Sequence, residues 1–305
     1  MPAPPPRRVL LVTNPAARRA GRRRSAALDA FRAHGVRCDA VITEYAGHGG
    51  ELAARLAPNY DAVFSLGGDG TAMEVLGALA GSGLAVGILP GGTGNLIARS
   101  LGVPLRVATA VRVLLRGDVA RIDLGAVHVQ DDQGVRARRF AFSAGVGIDA
   151  AMIERTPLAL KRRLGVLAYV LTAARAILRR ERFRVRVSVD GESVEREAVA
   201  VMVVNFGAVL NDLLRLGPGI RQDDGMLDLC VFSPETIGDA VRVFWRLLRK
   251  DFRGDPCMLY RPGRSFRVET DPPRAAQADG ELLGPTPLEV RVEPLAATLL
   301  VPARD

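Results

Sequence analysis

One stretch constrains this chain more than any other: Gly67-Gly68-Asp69-Gly70-Thr71. Residues 61–66 before it read as a short buried strand, and residues 72–76 after it as the first turns of a helix. Three glycines let the backbone approach a bulky anion and take turns closed to other residues. A helix start adds N–H groups and the positive end of a dipole, which suit phosphate. Asp69 has no evident structural task in the sequence. A carboxylate beside phosphate is repelled unless a metal or donor partner offsets it, so it points to Mg²⁺ or a polar network. The alternative is an ordinary strand-to-helix turn. A second stretch, Pro90-Gly91-Gly92-Thr93-Gly94-Asn95, also follows an apolar run, residues 84–89, and also opens a helix. Two such strand ends belong at one edge of a parallel sheet, where α/β folds bind nucleotides.

The chain has 305 residues, a comfortable length for two domains, and 48% hydrophobic residues, enough for real cores. A formal charge of +9 favours polyanions: ATP, an anionic membrane or nucleic acid. No nucleic-acid module and no basic run interleaved with aromatics is present, so nucleic acid ranks last. The basic residues are Arg except for Lys161 and Lys250, a bias that genome composition explains as well as function does. Cys38, Cys230 and Cys257 fit neither a disulfide framework nor a zinc spacing, and His34, His48 and His128 are too scattered for a metal cluster. Residues 2–8 lack the apolar core of a secretory signal and read as a disordered lead-in. No stretch reaches the roughly 18 apolar residues of a membrane span. The expected location is therefore cytoplasmic.

Residues 9–13 form an apolar run typical of a central parallel strand, stopped by Asn14-Pro15. A basic segment, residues 18–24, then leads into an amphipathic helix carrying Leu28 and Phe31. Further strands at 38–43, 61–66 and 84–89 alternate with helices at 47–57, after each glycine loop and at 105–116. This pattern predicts a doubly wound, Rossmann-like parallel sheet over residues 1–124. From Gly125 the period changes to two. Hairpins are expected around 131–134 and around Asp190-Gly191, with strands at 183–189, 198–204, 226–232, 265–269 and 288–292, an antiparallel β-sandwich over 125–290. Two apolar helices with basic flanks interrupt it. One covers 158–180, between Lys161-Arg162-Arg163 and Arg179-Arg180; the other covers 241–248, before Arg249-Lys250. Such helices either cover the sandwich core or dock to an anionic membrane.

Taken together, the motifs resemble the diacylglycerol kinase catalytic family, which includes bacterial lipid kinases and sphingosine kinases. The motifs in order are Asn14-Pro15, Thr43 with Gly47-His48, the GGDGT with Glu74, and the PGGTGN with Ala98-Arg99. They continue with residues 121–125, residues 142–149, Asp223-Asp224-Gly225 and Asp279-Gly280-Glu281. The GGDGT alone is shared with NAD kinases and phosphofructokinases; the late motifs make the resemblance specific. It implies that residues 291–305 return to the first domain. It also implies an ATP site built from Asn14, Thr43, Gly67, Gly68, Asp69, Gly70, Thr71, Glu74, Gly92, Thr93 and Asn95, with Asp69 and Asp123 organising Mg²⁺ and water. An Arg121–Asp123 pair is the plainer reading of Asp123. The family's loop after Asn14 usually contains Ser-Gly, whereas here it reads Ala16-Ala17-Arg18-Arg19-Ala20-Gly21. The family's usual Asp after Asn95 is Leu96 here.

Phosphoryl transfer needs held phosphates, neutralised charge, a positioned hydroxyl and a base. The resemblance makes Asp279 the base for a lipid hydroxyl. Glu281 is expected on the same side of an extended segment, orienting Asp279 or holding the metal network. The competing reading is an Asp-Gly β-turn. By resemblance, Asp224 with the carbonyls of Arg221 and Met226 forms a structural Mg²⁺ site, against a simple capped turn. The leading expectation is an ATP-dependent lipid kinase working on a lipid at the inner face of the membrane, peripherally associated, with a homodimer left open. The alternatives are a soluble NAD kinase-like enzyme and a non-catalytic nucleotide- or lipid-binding protein.

Overall fold

The computed structural model describes residues 6–15, 20–131, 134–147, 182–209 and 214–303. The helix expected over 158–180 with its basic flanks, the loop residues 16–19, Asp149 and most of the N-terminal lead-in lie outside the described residues. The chain forms two compact units, Met1–Asp123 with Leu295–Asp305, and Leu124–Pro294.

The first unit runs β1 (Arg8–Thr13), α1 (Ala20–Ala33), β2 (Arg37–Ile42), α2 (His48–Leu56), β3 (Ala62–Gly67), α3 (Asp69–Ala78), β4 (Ala85–Pro90), α4 (Leu96–Ser100) and α5 (Val107–Leu115). Its parallel strands lie in the order β2-β1-β3-β4. Residues 9–12 of β1 are wholly buried, as their unbroken apolar run requires. Helix α1 turns Ala27 and Phe31 inward, and the Phe31 ring meets Phe64 of β3 edge-on at 4.9 Å. Gly87 on β4 makes room for that ring: a Cβ there would lie 2.2 Å from Phe64. The chain passes from β1 outward to β2 and then back across to β3, so its winding reverses between β1 and β3. The carboxyl ends of these two strands are Thr13-Asn14 and Leu66-Gly67. Ligand crevices of such sheets open at that reversal.

The second unit begins within β5 (Asp118–Asp131). It continues with β6 (Gly134–Phe140), β7 (Ser143–Gly147), β8 (Phe183–Val189), β9 (Glu192–Ala198), β10 (Ala200–Val204), β11 (Ala208–Val209), β12 (Leu214–Arg215) and β13 (Leu227–Phe232). Then come α6 (Ile237–Arg249), β14 (Met258–Gly263), β15 (Ser265–Asp271), β16 (Ala275–Ala278), β17 (Glu281–Pro285) and β18 (Leu288–Val301). One antiparallel layer has the order β14-β13-β10-β7-β16-β17; the facing layer uses β18, β15, β8 and β9, with β5 paired to β6. Alternate residues of both layers, among them Val185, Val187, Val201, Val203, Leu229 and Val231, close one core. This is the expected α/β unit followed by an antiparallel sandwich.

Among the strands that were not legible, three have a plain physical reason. β14 and β17 are the two edges of their layer, and each holds a proline, as edges allow. β16 is Ala-Ala-Gln-Ala, without a β-branched residue. β18 also runs well past the expected 288–292. After Leu295, held at φ +47°, it belongs to the first unit and pairs parallel to β4 through Leu299 and Val86.

Candidate active site

In the first unit the two glycine loops pack backbone against backbone. Gly91 and Gly92 both donate to the Gly67 carbonyl, at 2.7 and 2.9 Å. A Cβ on Gly92 would stand 2.5 Å from the Gly68 Cα, and one on Gly91 2.8 Å from Gly67. The glycines are thus required by this contact, before any ligand is considered. Asn95, in the left-handed region at φ 49°, closes the second loop: its Oδ1 accepts from Gly92 N–H at 2.9 Å and its Nδ2 donates to the Gly92 carbonyl at 3.0 Å. Gly92 and Asn95, expected at phosphate, spend these groups inside the loop. Thr93 and Gly94 form its exposed tip.

Asp69, Glu74 and Asp123 each have a structural task. Asp69 does have one, contrary to expectation: its Oδ1 accepts from Ile97 N–H at 3.1 Å, which ties the first loop to the start of α4. Burial pushes the Asp69 carboxyl up, against the pull of the N–H groups of Ile97 and Leu96. Glu74, one turn into α3, accepts Gly47 N–H at 2.8 Å and Gly49 N–H at 3.0 Å and so caps α2. Thr43 is buried beneath that turn, its Cγ2 facing Gly49. Thr71 is buried as well, and its hydroxyl oxygen accepts from Asn14 Nδ2 at 3.1 Å across the reversal between β1 and β3. Asp123 is fully buried and accepts Leu295 N–H at 2.7 Å, while Arg121 donates to the Leu295 carbonyl at 2.8 Å. The residue shared by Arg121 and Asp123 is therefore Leu295, not each other.

The described residues fit a phosphate-bearing ligand at one place. Gly68 caps α3 without any side-chain hydrogen bond, so no side chain of the cap competes for the first N–H groups of that ten-residue helix. Gly70 lies in that first turn. Two guanidiniums reach the neighbouring loop: Arg99 donates to the Gly94 carbonyl at 3.0 Å, and Arg23 of α1 to the Gly91 carbonyl. Sequence reasoning missed Arg23; its only signal was the basic run over 18–24, whose last five residues open α1. On the turn that Glu74 holds, Tyr45 and His48 stack with ring centroids 4.5 Å apart.

In the second unit Asp279 sits in a tight turn between β16 and β17, where Ala278 pairs with Glu281. Asp279 and Gly280 both have positive φ, 45° and 90°, which Asp-Gly tolerates best. The β-turn reading was therefore the correct local structure, and the segment is not extended. Glu281 consequently does not share a face with Asp279; it pairs with Arg138 of β6. The turn nonetheless presents the Asp279 carboxylate to three backbone donors. Ala141 N–H lies 2.8 Å from Oδ2, and Phe142 and Ser143 N–H each 2.9 Å from Oδ1. Gln277 holds the turn in place by accepting Gly280 N–H at 2.9 Å.

Asp224 accepts Met226 N–H at 3.1 Å around Gly225, at φ 75°, the capped turn expected as the plainer reading. The Arg221 side chain pairs with Asp223. Asp228, which sequence reasoning passed over, lies close enough to matter: burial, and then the Asp224 charge, push its carboxyl up to about 6. Two carboxylates and turn carbonyls are a donor set that suits a hard cation. Among the described residues no three His, Cys, Asp or Glu side chains gather into a metal cluster. No described helix is long and apolar enough to cross a membrane.

The first unit is thus an α/β sheet with two interlocked glycine loops at its strand ends, and the second a sandwich carrying a clamped aspartate. Residues 8–127 match the diacylglycerol kinase catalytic domain, and residues 142–301 match the YegS C-terminal NAD kinase beta sandwich-like domain. An uncharacterized protein of Synechocystis is 30% identical over 247 residues, covering 80% of this chain, which spans 55% of that relative's length. A diacylglycerol kinase of Staphylococcus saprophyticus is 26% identical over 256 residues, 83% of this chain and 81% of that one. A solved structure of a candidate diacylglycerol kinase from Bacillus anthracis superposes with a TM-score of 0.80 at 25% identity, over 97% of both chains. The chain belongs to the diacylglycerol kinase catalytic family, a family of lipid kinases.

Proposed function

We propose that this chain is an ATP-dependent lipid kinase that transfers the γ-phosphoryl group to a hydroxyl of diacylglycerol or a related lipid, at the inner face of the membrane. The observation that carries this reading is Asp279, a carboxylate fixed by three backbone N–H groups in a chain of this family. In this reading the first turn of α3 meets the phosphates, with Thr93 and Gly94 covering them and Arg23 and Arg99 adding positive charge. Asn14, Thr43, Thr71, Glu74 and Asn95 shape the loops. Asp69 ties the first loop to α4, and Asp69 and Asp123 would organise Mg²⁺ and water beside the phosphates. Asp279 takes the proton of the acceptor hydroxyl as its oxygen bonds to phosphorus and the bond to ADP breaks. Magnesium would neutralise part of the triphosphate charge when bound. Asp224 with the carbonyls of Arg221 and Met226, joined here by Asp228, would hold a second, structural Mg²⁺ away from the reaction. Glu281, engaged by Arg138, stays outside the chemistry.

The test is transfer of label from γ-labelled ATP into a panel of lipids in anionic vesicles, with NAD as a control acceptor. Wild type is run beside Asp279→Asn. Labelled lipid from wild type only supports the proposal and identifies the acceptor. Labelled NADP without labelled lipid sinks it in favour of a NAD kinase-like enzyme. ATP binding without transfer to any acceptor sinks it in favour of a non-catalytic protein.

A further inference from the structure

Helix α6 is amphipathic in an unusual way: it has two apolar faces. Ala240, Val243 and Leu247 are buried on one face. Ile237, Val241 and Trp245, spaced by four residues, stand 43%, 39% and 50% exposed on another face. Phe244, half-buried, lies against Trp245 at the border of that stripe. No core explains a tryptophan, an isoleucine and a valine in line on the solvent side of one helix.

The stripe has a cationic end. Arg249 lies over the Trp245 ring at 5.8 Å, and Lys250 terminates the helix in the left-handed region. Over residues 239–255, Arg242, Arg246, Arg249, Lys250 and Arg253 outnumber Asp239, Asp251 and Asp255. The carboxylates are tied down: Asp255 by Arg242 and Arg246, Asp251 by Arg246 and Arg253, and Asp239 by Arg242 and the Thr236 capping box. The segment therefore shows a net positive field beside an apolar ridge tipped with an aromatic ring. That combination complements a phospholipid surface, where tryptophan sits at the headgroup level and Arg and Lys side chains reach the phosphates.

We propose that α6 docks this protein onto an anionic phospholipid bilayer, with Ile237, Val241 and Trp245 entering the headgroup boundary and Arg249 and Lys250 on the lipid phosphates. This rests on the reading of the chain as a lipid kinase, whose acceptor resides in such a bilayer. The docking itself needs neither ATP nor acceptor.

Trp245 is the one tryptophan of the chain, so intrinsic tryptophan emission reports on this helix alone. The full chain, without nucleotide, is titrated with vesicles of phosphatidylglycerol and phosphatidylcholine, and with phosphatidylcholine alone. On the anionic vesicles the emission should shift to the blue and be quenched by brominated acyl chains. Salt at about 0.5 M should reverse most of this, because the Debye length then falls well below the ~10 Å of 0.1 M. Val241→Asp should weaken partitioning at least about tenfold, and Arg249→Gln about fivefold. Circular dichroism checks that each variant is folded. Both variants should keep wild-type transfer to a short-chain acceptor in solution. Co-sedimentation without a change in Trp245 emission would overturn the proposal, since another surface then docks. So would failure to sediment. So would a blue shift that grows with protein concentration alone, together with a dimer mass, since a second copy then covers the stripe. Docking without transfer to any acceptor overturns the kinase reading and leaves the surface assigned.

Discussion

On the proposed reading Asp279 carries two tasks in one carboxylate, and they can be separated. Its two oxygens accept from Ala141, Phe142 and Ser143, so the same group that would take a proton also fixes the entry to β7. Asparagine cannot replace it silently: its amide nitrogen would face one of those N–H groups donor to donor. Asp279→Asn is therefore expected to lower transfer by about 10²-fold or more. It should also destabilise the second unit by about 1–3 kcal/mol, the cost of an unmet buried donor. A denaturant titration beside the transfer assay reads both. Destabilisation with transfer intact would leave Asp279 a purely structural residue. The single residues also show what sequence can carry. Asp279-Gly280 was legible as a turn, because Asp-Gly has few other uses. The trio of N–H donors was not, since it comes from the link between β6 and β7, more than 130 positions away in sequence. Likewise Asp69, Glu74 and Asp123 were recognisable as motif members, but their partners Ile97, Gly47, Gly49 and Leu295 depend on how strand ends meet in space.

Among the elements, the two glycine loops act as one unit. Gly92→Ala would force its methyl against the Gly68 Cα, now 2.5 Å from the required Cβ position, and neither backbone can yield without breaking a bond to the Gly67 carbonyl. The expected cost is about 1–3 kcal/mol of overpacking, with a clear loss of nucleotide affinity by calorimetry. Thermal unfolding should show the same destabilisation without ligand. Helix α6 is anchored differently, through charge. The Asp255 carboxyl is nearly fully buried. Burial pushes it up, but the Cys257 N–H and the guanidiniums of Arg242 and Arg246 outweigh that and hold it below its ordinary 3.8. Asp251 is held low by the Arg253 guanidinium and N–H. Because these folded-state values lie below the ordinary one, their stabilisation is complete above about pH 4 and is lost as pH falls further. The melting temperature should thus drop as the pH falls below about 4, and Asp255→Asn should flatten part of that drop while lowering stability at pH 7. A drop of equal size in the variant would show that this anchor does not titrate. The periodic elements α1, α5 and β8 were plain in the sequence because one packing face dictates their period, and β1 and β10 showed as unbroken apolar runs. The edge strands β14 and β17 were not, because an edge asks little of its side chains.

Across the whole molecule the chain crosses between the two units twice, at 123–124 and at 294–295. Asp123 and Leu295, the first-unit residues at the two crossings, are joined by the hydrogen bond from Leu295 N–H. The eleven residues after the second crossing, 295–305, belong to the first unit although almost the whole sandwich separates them from it in sequence. They are not a decoration. Ala297, Leu299 and Leu300 are buried, Leu299 pairs with β4, Ala296 accepts Gly81 N–H at 2.8 Å, and the Val301 carbonyl packs on Gly117 with no room for a Cβ. A chain ending at Pro294 loses two buried leucines, about 3–6 kcal/mol on burial alone. It also leaves the wholly buried Asp123 carboxylate without its Leu295 donor, which adds to that cost. A domain holds only about 5–15 kcal/mol in all. The shortened chain is therefore expected to lose the cooperative unfolding of its first unit and its nucleotide binding. The second unit, which keeps its whole core, should still unfold in one transition. Differential scanning calorimetry with and without ATP distinguishes the cases. Two transitions, the first still raised by ATP, would mean that β1 to α5 fold without the returning strand.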